Sequence, residues 1–97
     1  VILVPTANME PFDSVCTRLV PARAEENGTV IAYANYVGRE GEFTYCGRSC
    51  ISDATGEDLA RAPAAEEALL LADIDPAAIA AARARTPYLA DRRHDLY

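Results

Sequence analysis

Not one lysine occurs in the 97 residues, so all nine basic side chains are arginine. Without lysine the chain brings no side-chain ammonium to any chemistry it takes part in. There is no tryptophan, one methionine and one histidine, His94, which sits in the far C-terminal tail. A Ser–His or Cys–His pair would have to recruit that distant residue. Positive charge is scarce overall: the net charge is −6 and the pI about 4.6. That balance excludes the basic face on which nucleic-acid binding depends. No apolar run approaches the ~20 residues of a membrane span, and no signal-peptide pattern opens the chain. Phosphate-binding glycine motifs are missing too, because Gly38-x-x-Gly41 has neither the G-x-G-x-x-G nor the Walker spacing. The three cysteines, Cys16, Cys46 and Cys50, are an odd number without close pairs. They read as reduced, packed thiols in a cytoplasmic setting rather than as a disulfide framework or a zinc site.

What is present is an ordinary globular composition, half hydrophobic and a quarter charged, in a length that allows one modest domain. Val1-Ile2-Leu3-Val4 followed by Pro5 predicts a fully buried strand running into a polar loop at Thr6, Ala7, Asn8 and Met9. The chain opens inside that strand without an initiator Met, from which we expect it to be the back part of something longer. Pro11 is expected at the start of a helix, with Glu10 or Asp13 near its N-terminus. Phe12, Val15, Cys16, Leu19 and Val20 then form one apolar stripe. Pro21 predicts a kink or restart, and Asn27-Gly28 a stop. Residues 29–35 read as a second strand buried on both faces, which makes a βαβ-like step. Residues 36–44 are expected to be a Gly/Glu-rich loop and 45–53 a third strand, in which Gly47 marks close backbone approach. Asp53-Ala-Thr-Gly56 is turn chemistry, with 57–62 as the returning arm of a hairpin. Residues 68–74 suggest another buried strand. Asp75 and Pro76 predict the N-cap and first residue of a short helix that ends before Pro87. The tail, residues 88–97, carries two tyrosines and two leucines, a load that suits docking against a partner. Such a series of elements fits half of a layered α/β sandwich, with sheet edges and one sheet face open when alone.

No self-contained catalytic set emerges from these residues. Glu25 and Glu26 are adjacent, and adjacent helical positions diverge; Glu26 is either solvated or held inward by an arginine or the backbone. The order of motifs, however, resembles a known family. Val4-Pro5-Thr6-Ala7 after an apolar strand, Ala22-Arg23-Ala24-x-Glu26-Asn27, and Ala34-Asn35-x-x-Gly38 resemble the carbon–nitrogen hydrolase (nitrilase) superfamily. Tyr45-Cys46-Gly47-x-Ser49, Asp53-x-x-Gly56 and Asp91-Arg92-Arg93-x-Asp95-Leu96-Tyr97 continue the likeness across the chain. Pro5-Thr6-Ala7-Asn8-Met9, Ala32-Tyr33-Ala34-Asn35-Tyr36 and Glu40-Gly41-Glu42 look most like the aliphatic amidase branch, which includes 5-aminopentanamidase and R-stereoselective amidases. Pro21, Glu25 and His94 depart from that pattern.

The resemblance implies a four-layer α-β-β-α sandwich of α/β class, of which residues 1–97 would be the C-terminal portion. It implies a Glu–Lys–Cys set acting on small aliphatic amides through a Cys thioester, with no cofactor and no metal. All three catalytic residues would precede Val1, so the segment alone is expected to be inactive. Ala7, Asn8 and Met9 would line the acyl side of the pocket; the competing reading is that Asn8 closes a turn or caps the following helix. The helix and the tail would pair subunits two-fold, with Arg92, Arg93 and Tyr97 as interface residues of a homo-oligomer. N-carbamoyl amines or nitriles are alternative substrates. A non-catalytic interaction module that keeps only the dimer surface is the alternative of another class.

Overall fold

The computed structural model describes all 97 residues. Its extents are 51 × 32 × 16 Å, a slab thick enough for one sheet and one helical layer. The main sheet has four strands in the order β1 (Ile2–Thr6), β2 (Ile31–Asn35), β5 (Cys50–Ser52), β6 (Asp58–Arg61). Strands β1 and β2 are parallel, with Val4 opposite Tyr33 and Thr6 opposite Asn35. The β2–β5 and β5–β6 pairs are antiparallel. A separate hairpin, β3 (Val37–Glu40) and β4 (Phe43–Cys46), projects beyond the carboxyl end of β2.

Between β1 and β2 the chain returns through a π-helical turn (Val15–Leu19) that runs into α1 (Val20–Glu26). The expected break at Pro21 is borne out, and its cause is a missing donor. Val20 N–H bonds Val15 C=O, five residues back. In that register the Cys16 carbonyl would take its hydrogen from residue 21, and proline has none. The arginine at the sheet's far edge supplies it: Arg61 Nη2 donates to Cys16 O at 3.0 Å. Arg61 is held for this by its fork on Asp58, with Nε–Oδ2 at 2.5 Å and Nη2–Oδ1 at 3.0 Å.

The helical layer covers one face of the sheet. Cys16, Val20 and Ala24 pack on Ile31, Tyr33 and Cys50, with Val4 and Val15 at the margin. The stop at Asn27-Gly28 forms as expected. Gly28 takes φ +53°, and Thr29 N–H reaches back to Ala24 C=O at 3.0 Å. Asp75 caps α2 (Pro76–Arg85) through Oδ1, which accepts from Ala77 N–H at 2.8 Å. Asp53 likewise accepts from Thr55 and Glu57 in its turn. Gly47 is required where it stands: at φ +54°, an added Cβ would lie 2.2 Å from Ala64 O.

Several expectations need correction. The opening strand exists but is not buried; it is an edge strand, and Leu3 is 74% exposed. Strand β2 buries Ile31 and Tyr33 toward the helices, whereas Ala32 and Ala34 face outward, so only one of its faces is covered. Alternation along a strand sends every second side chain to the uncovered face, and no second layer within this chain meets it. The helical stripe splits as well. Cys16 and Val20 are buried but Phe12 and Leu19 are exposed: Phe12 lies before the helix begins, and the wider π-turn rotates Leu19 away from a 3.6-residue period. Pro11 lies in the turn before the helix, not in it. Residues 36–44 are no loop. Gly41 at φ +58° starts a two-residue turn that lets Glu40 pair with Phe43. The expected third strand is two strands, β4 and β5, divided at Gly47 and Arg48, both with positive φ. Residues 68–74 form no strand; Leu69 and Leu71 are 85% and 81% exposed, and no neighbouring strand takes up their backbone. Glu26 points outward, paired with Arg23 on the exposed side of α1.

Candidate functional site

Parallel strands β1 and β2 both end on the same side of the sheet, and the loop after β1 meets the residues that follow β2 there. Asn35 ties the two together. Its Oδ1 accepts from Asn8 N–H at 2.7 Å, and its Nδ2 donates to Asn8 O at 3.1 Å and to Gly47 O at 3.0 Å. The Asn35 backbone is held in turn by Ser49, whose Oγ accepts from Asn35 N–H at 2.9 Å. The hairpin clamps the loop from the other side: Cys46 N–H donates to Asn8 O, Glu10 N–H donates to Thr44 O, and Met9 bridges Tyr45. The result is a fixed ledge in which Ala7 is exposed while Asn8 and Met9 are half-buried.

Within that ledge the Asn8 side chain donates through Nδ2 to Phe12 O at 2.9 Å, which closes the 8–12 turn. Its Oδ1 accepts nothing from the protein. Tyr36 and Tyr45 stand beside the ledge as an edge-to-face pair with centroids 5.4 Å apart. The Tyr45 hydroxyl donates to Glu40 Oε2 at 3.0 Å, a bond that raises its phenol above the usual value. Beneath, Tyr33 is 4% exposed and its hydroxyl has no partner.

Cys16, Cys46 and Cys50 are free and buried. Burial pushes the Cys16 thiol up, the Cys46 thiol adds to it, and Arg61 opposes it. Burial also raises Cys50, against the pull of Arg61. A nucleophilic cysteine needs an approach route, which burial denies all three, and a lowered thiol, the opposite of what Cys16 and Cys50 have. No group of three or more His, Cys, Asp or Glu side chains is placed to hold a metal ion. The tail residues are not part of the ledge. Arg92, Arg93 and Tyr97 are exposed, and Arg93 forks onto Asp95 with Nε–Oδ1 at 2.7 Å.

Sequence reasoning singled out Ala7, Asn8 and Met9 but assigned no role to Asn35, Tyr33, Tyr36, Tyr45 or Ser49. A signal was available for Asn35: an amide closing an otherwise apolar strand needs partners that the strand itself cannot offer. Nothing in the linear order indicates that the partner is 27 residues away.

The family described as carbon-nitrogen hydrolase matches residues 7–84. A Pseudomonas protegens protein described as "Hydrolase in pqqF 5'region" is 46% identical over 96 residues, which is 99% of this chain and 33% of that protein. An amidase of the nitrilase superfamily from Nesterenkonia sp. AN1 is similar in structure. Its cysteine-to-alanine mutant is 39% identical with a TM-score of 0.78, over 97% of this chain and 32% of that one. The same amidase has been solved with butyramide (37% identity, TM-score 0.74, 98% and 33% coverage). Another of its structures carries the acetamide moiety of fluoroacetamide covalently added at the active-site cysteine (36%, 0.75, 98% and 33%). The chain therefore spans about a third of the length of the relatives it matches.

Proposed function

The chain belongs to the carbon–nitrogen hydrolase family, and from that premise we propose that it is the C-terminal part of an amidase acting on small aliphatic amides. The reaction gives the acid and ammonia. A cysteine thiolate adds to the amide carbonyl, a carboxylate hands the departing nitrogen its proton, and ammonia leaves a thioester that water cleaves. In this reading Glu, Lys and Cys all lie upstream of Val1. The observation that carries it is the likeness over 97% of the chain to an amidase, one form of which holds butyramide. The absence of lysine and the burial of all three thiols agree with it.

This chain's own part is wall and interface. Ala7, Asn8 and Met9 line the acyl side of the pocket, and Asn8 Oδ1 is the free acceptor there. A groove of about 530 Å³ lies on the open sheet face, lined by Leu3, Pro5, Ala32, Ala34 and Ile51 among others, and by Leu69 and Leu70. A second sheet from upstream chain would cover it and complete the four layers. Phe12 and Leu19 on the helical layer, with Arg92, Arg93 and Tyr97 in the tail, pair subunits in a homo-oligomer. No helix is long and apolar enough to cross a membrane, and a cytoplasmic site of action fits free thiols.

Ammonia release by the full-length protein tests the reading, with butyramide, 5-aminopentanamide, an N-carbamoyl amine and a nitrile supplied in turn. The amides are expected to be the better substrates and residues 1–97 alone to be inactive. Preference for the carbamoyl amine or the nitrile would reassign the substrate. No turnover of any of them would leave a non-catalytic module that keeps the family's pairing surface.

A further inference from the structure

Met9 belongs to the ledge and is also an outer rung of the hairpin beside it. Cys46 N–H donates to Asn8 O and Glu10 N–H to Thr44 O, which makes Met9 and Tyr45 a narrow antiparallel pair with both side chains on one face. Tyr45 in turn stands opposite Gly38, and Phe43 opposite Glu40. Tyr36 and Glu40 lie two residues to either side of Gly38 and so share its face. Two contacts agree with this alternation. The rings of Tyr36 and Tyr45 meet edge to face, and Glu40 Oε2 accepts from the Tyr45 hydroxyl at 3.0 Å. Gly38 leaves a gap among them, because a Cβ there would meet no atom within 4 Å.

The carboxylate on this face is uncompensated. The ion pairs of the chain are Arg23–Glu26, Arg61–Asp58 and Arg93–Asp95, and none involves Glu40. Its neighbour Arg39 leaves the opposite face and donates to Gly41 O. Glu40 Oε1 accepts nothing from the protein, while Oε2 is held by Tyr45. Aromatic rings and a free carboxylate oxygen attract the same ligand, a cation.

We propose that this face receives the charged end of the substrate, an amide whose acyl chain ends in an ammonium group. Met9 lies against the chain, Glu40 Oε1 accepts from the ammonium, and Tyr36 and Tyr45 flank it. Glu40 is then a specificity-determining residue, and Tyr45 positions it. The substrate part rests on the amidase reading; the affinity of the face for an alkylammonium does not.

The test compares ω-amino amides of three to six carbons with the isosteres in which methyl replaces ammonium, using the full-length protein. The ratio of kcat/KM for the amino amide to that for its isostere measures recognition of the charge alone. We expect Glu40→Gln to lower the best ratio about fivefold, and the loss to shrink at high salt. Glu42→Gln removes the same charge from the same turn and should keep the ratio. An unchanged ratio in Glu40→Gln, or an equal fall in both variants, overturns the proposal. If none of these amides is turned over, the amidase reading fails and the face is still measured. The Met9 methyl signal, identified by its loss in Met9→Leu, is followed as n-pentylammonium is added. It should shift to saturation in the wild type, with binding about fivefold weaker in Glu40→Gln. A signal that does not move, or equal binding by both proteins, overturns the cation site.

Discussion

Asn35→Ala is the sharpest test of how the ledge is held. The substitution removes one acceptor and two donors. Asn8 O keeps the Cys46 N–H at 3.1 Å and so stays satisfied. Asn8 N–H and Gly47 O lose the partners that Asn35 gave them at 2.7 and 3.0 Å. An orphaned buried polar group costs about 1–3 kcal/mol, and since Asn8 is only half-buried we expect about 2–4 kcal/mol in total. Asn35→Asp separates the two functions. A carboxylate still accepts from Asn8 N–H, but its other oxygen then faces the carbonyls of Asn8 and Gly47. The charged form is disfavoured in the folded state, so the folded pKa is raised above the unfolded one. Relative stability is then greatest below the unfolded pKa and is lost as pH rises through the folded pKa. Urea unfolding of the full-length protein reads both variants as a change in midpoint at constant slope. A loss below about 0.5 kcal/mol for Asn35→Ala would refute the reasoning, because a surface substitution gives as much. Equal stability of Asn35→Asp in acid and at neutral pH would refute the donor argument.

Other outcomes follow from single contacts. Arg61→Met strips the donor from the Cys16 carbonyl and should cost about 1–3 kcal/mol in urea unfolding; Pro21→Ala, which restores an N–H at that position, should recover part of it. Gly47→Ala should cost more than about 2 kcal/mol, since left-handed backbone and a 2.2 Å approach to Ala64 O act together, whereas Gly41→Ala meets open space and should cost about 1 kcal/mol. Burial raises the Asp53 carboxyl, but bonds from Thr55 and Glu57 outweigh it and the net shift is downward. A depressed folded pKa gives stability that is present above the unfolded carboxylate value and lost as pH falls through the folded one. Asp53→Ala should therefore flatten the acid limb of a stability-versus-pH curve, and an unchanged limb would count against this turn as its source.

Features set by nearest neighbours were legible without coordinates. Asp75-Pro76 starts a helix because a carboxylate and a fixed φ suit its first turn. Asn27-Gly28 ends one because glycine enters the left-handed region freely. Pro21 breaks the hydrogen-bond ladder wherever it stands, and the stretch from 53 to 56 carries its own acceptor for the turn. The family motifs were legible for the same reason: they are short, ordered runs. Apolar content was the misleading signal. Val1 to Leu3 and residues 69–71 look like core, yet hydrophobicity records what a segment can bury, not whether a partner is there to bury it.

The pairings that build the candidate site were decided by tertiary structure alone. Asn35 grips Asn8 across 27 residues, and Arg61 reaches Cys16 across 45. Each depends on which strand lies beside which, and β5 rather than β3 follows β2 in the sheet. A backbone carbonyl orphaned by Pro21, or a phenol left unpaired at Tyr33, does not exist as a problem until the chain has folded around it. Composition, by contrast, determined from the outset that a chain without lysine holds no complete Glu–Lys–Cys set.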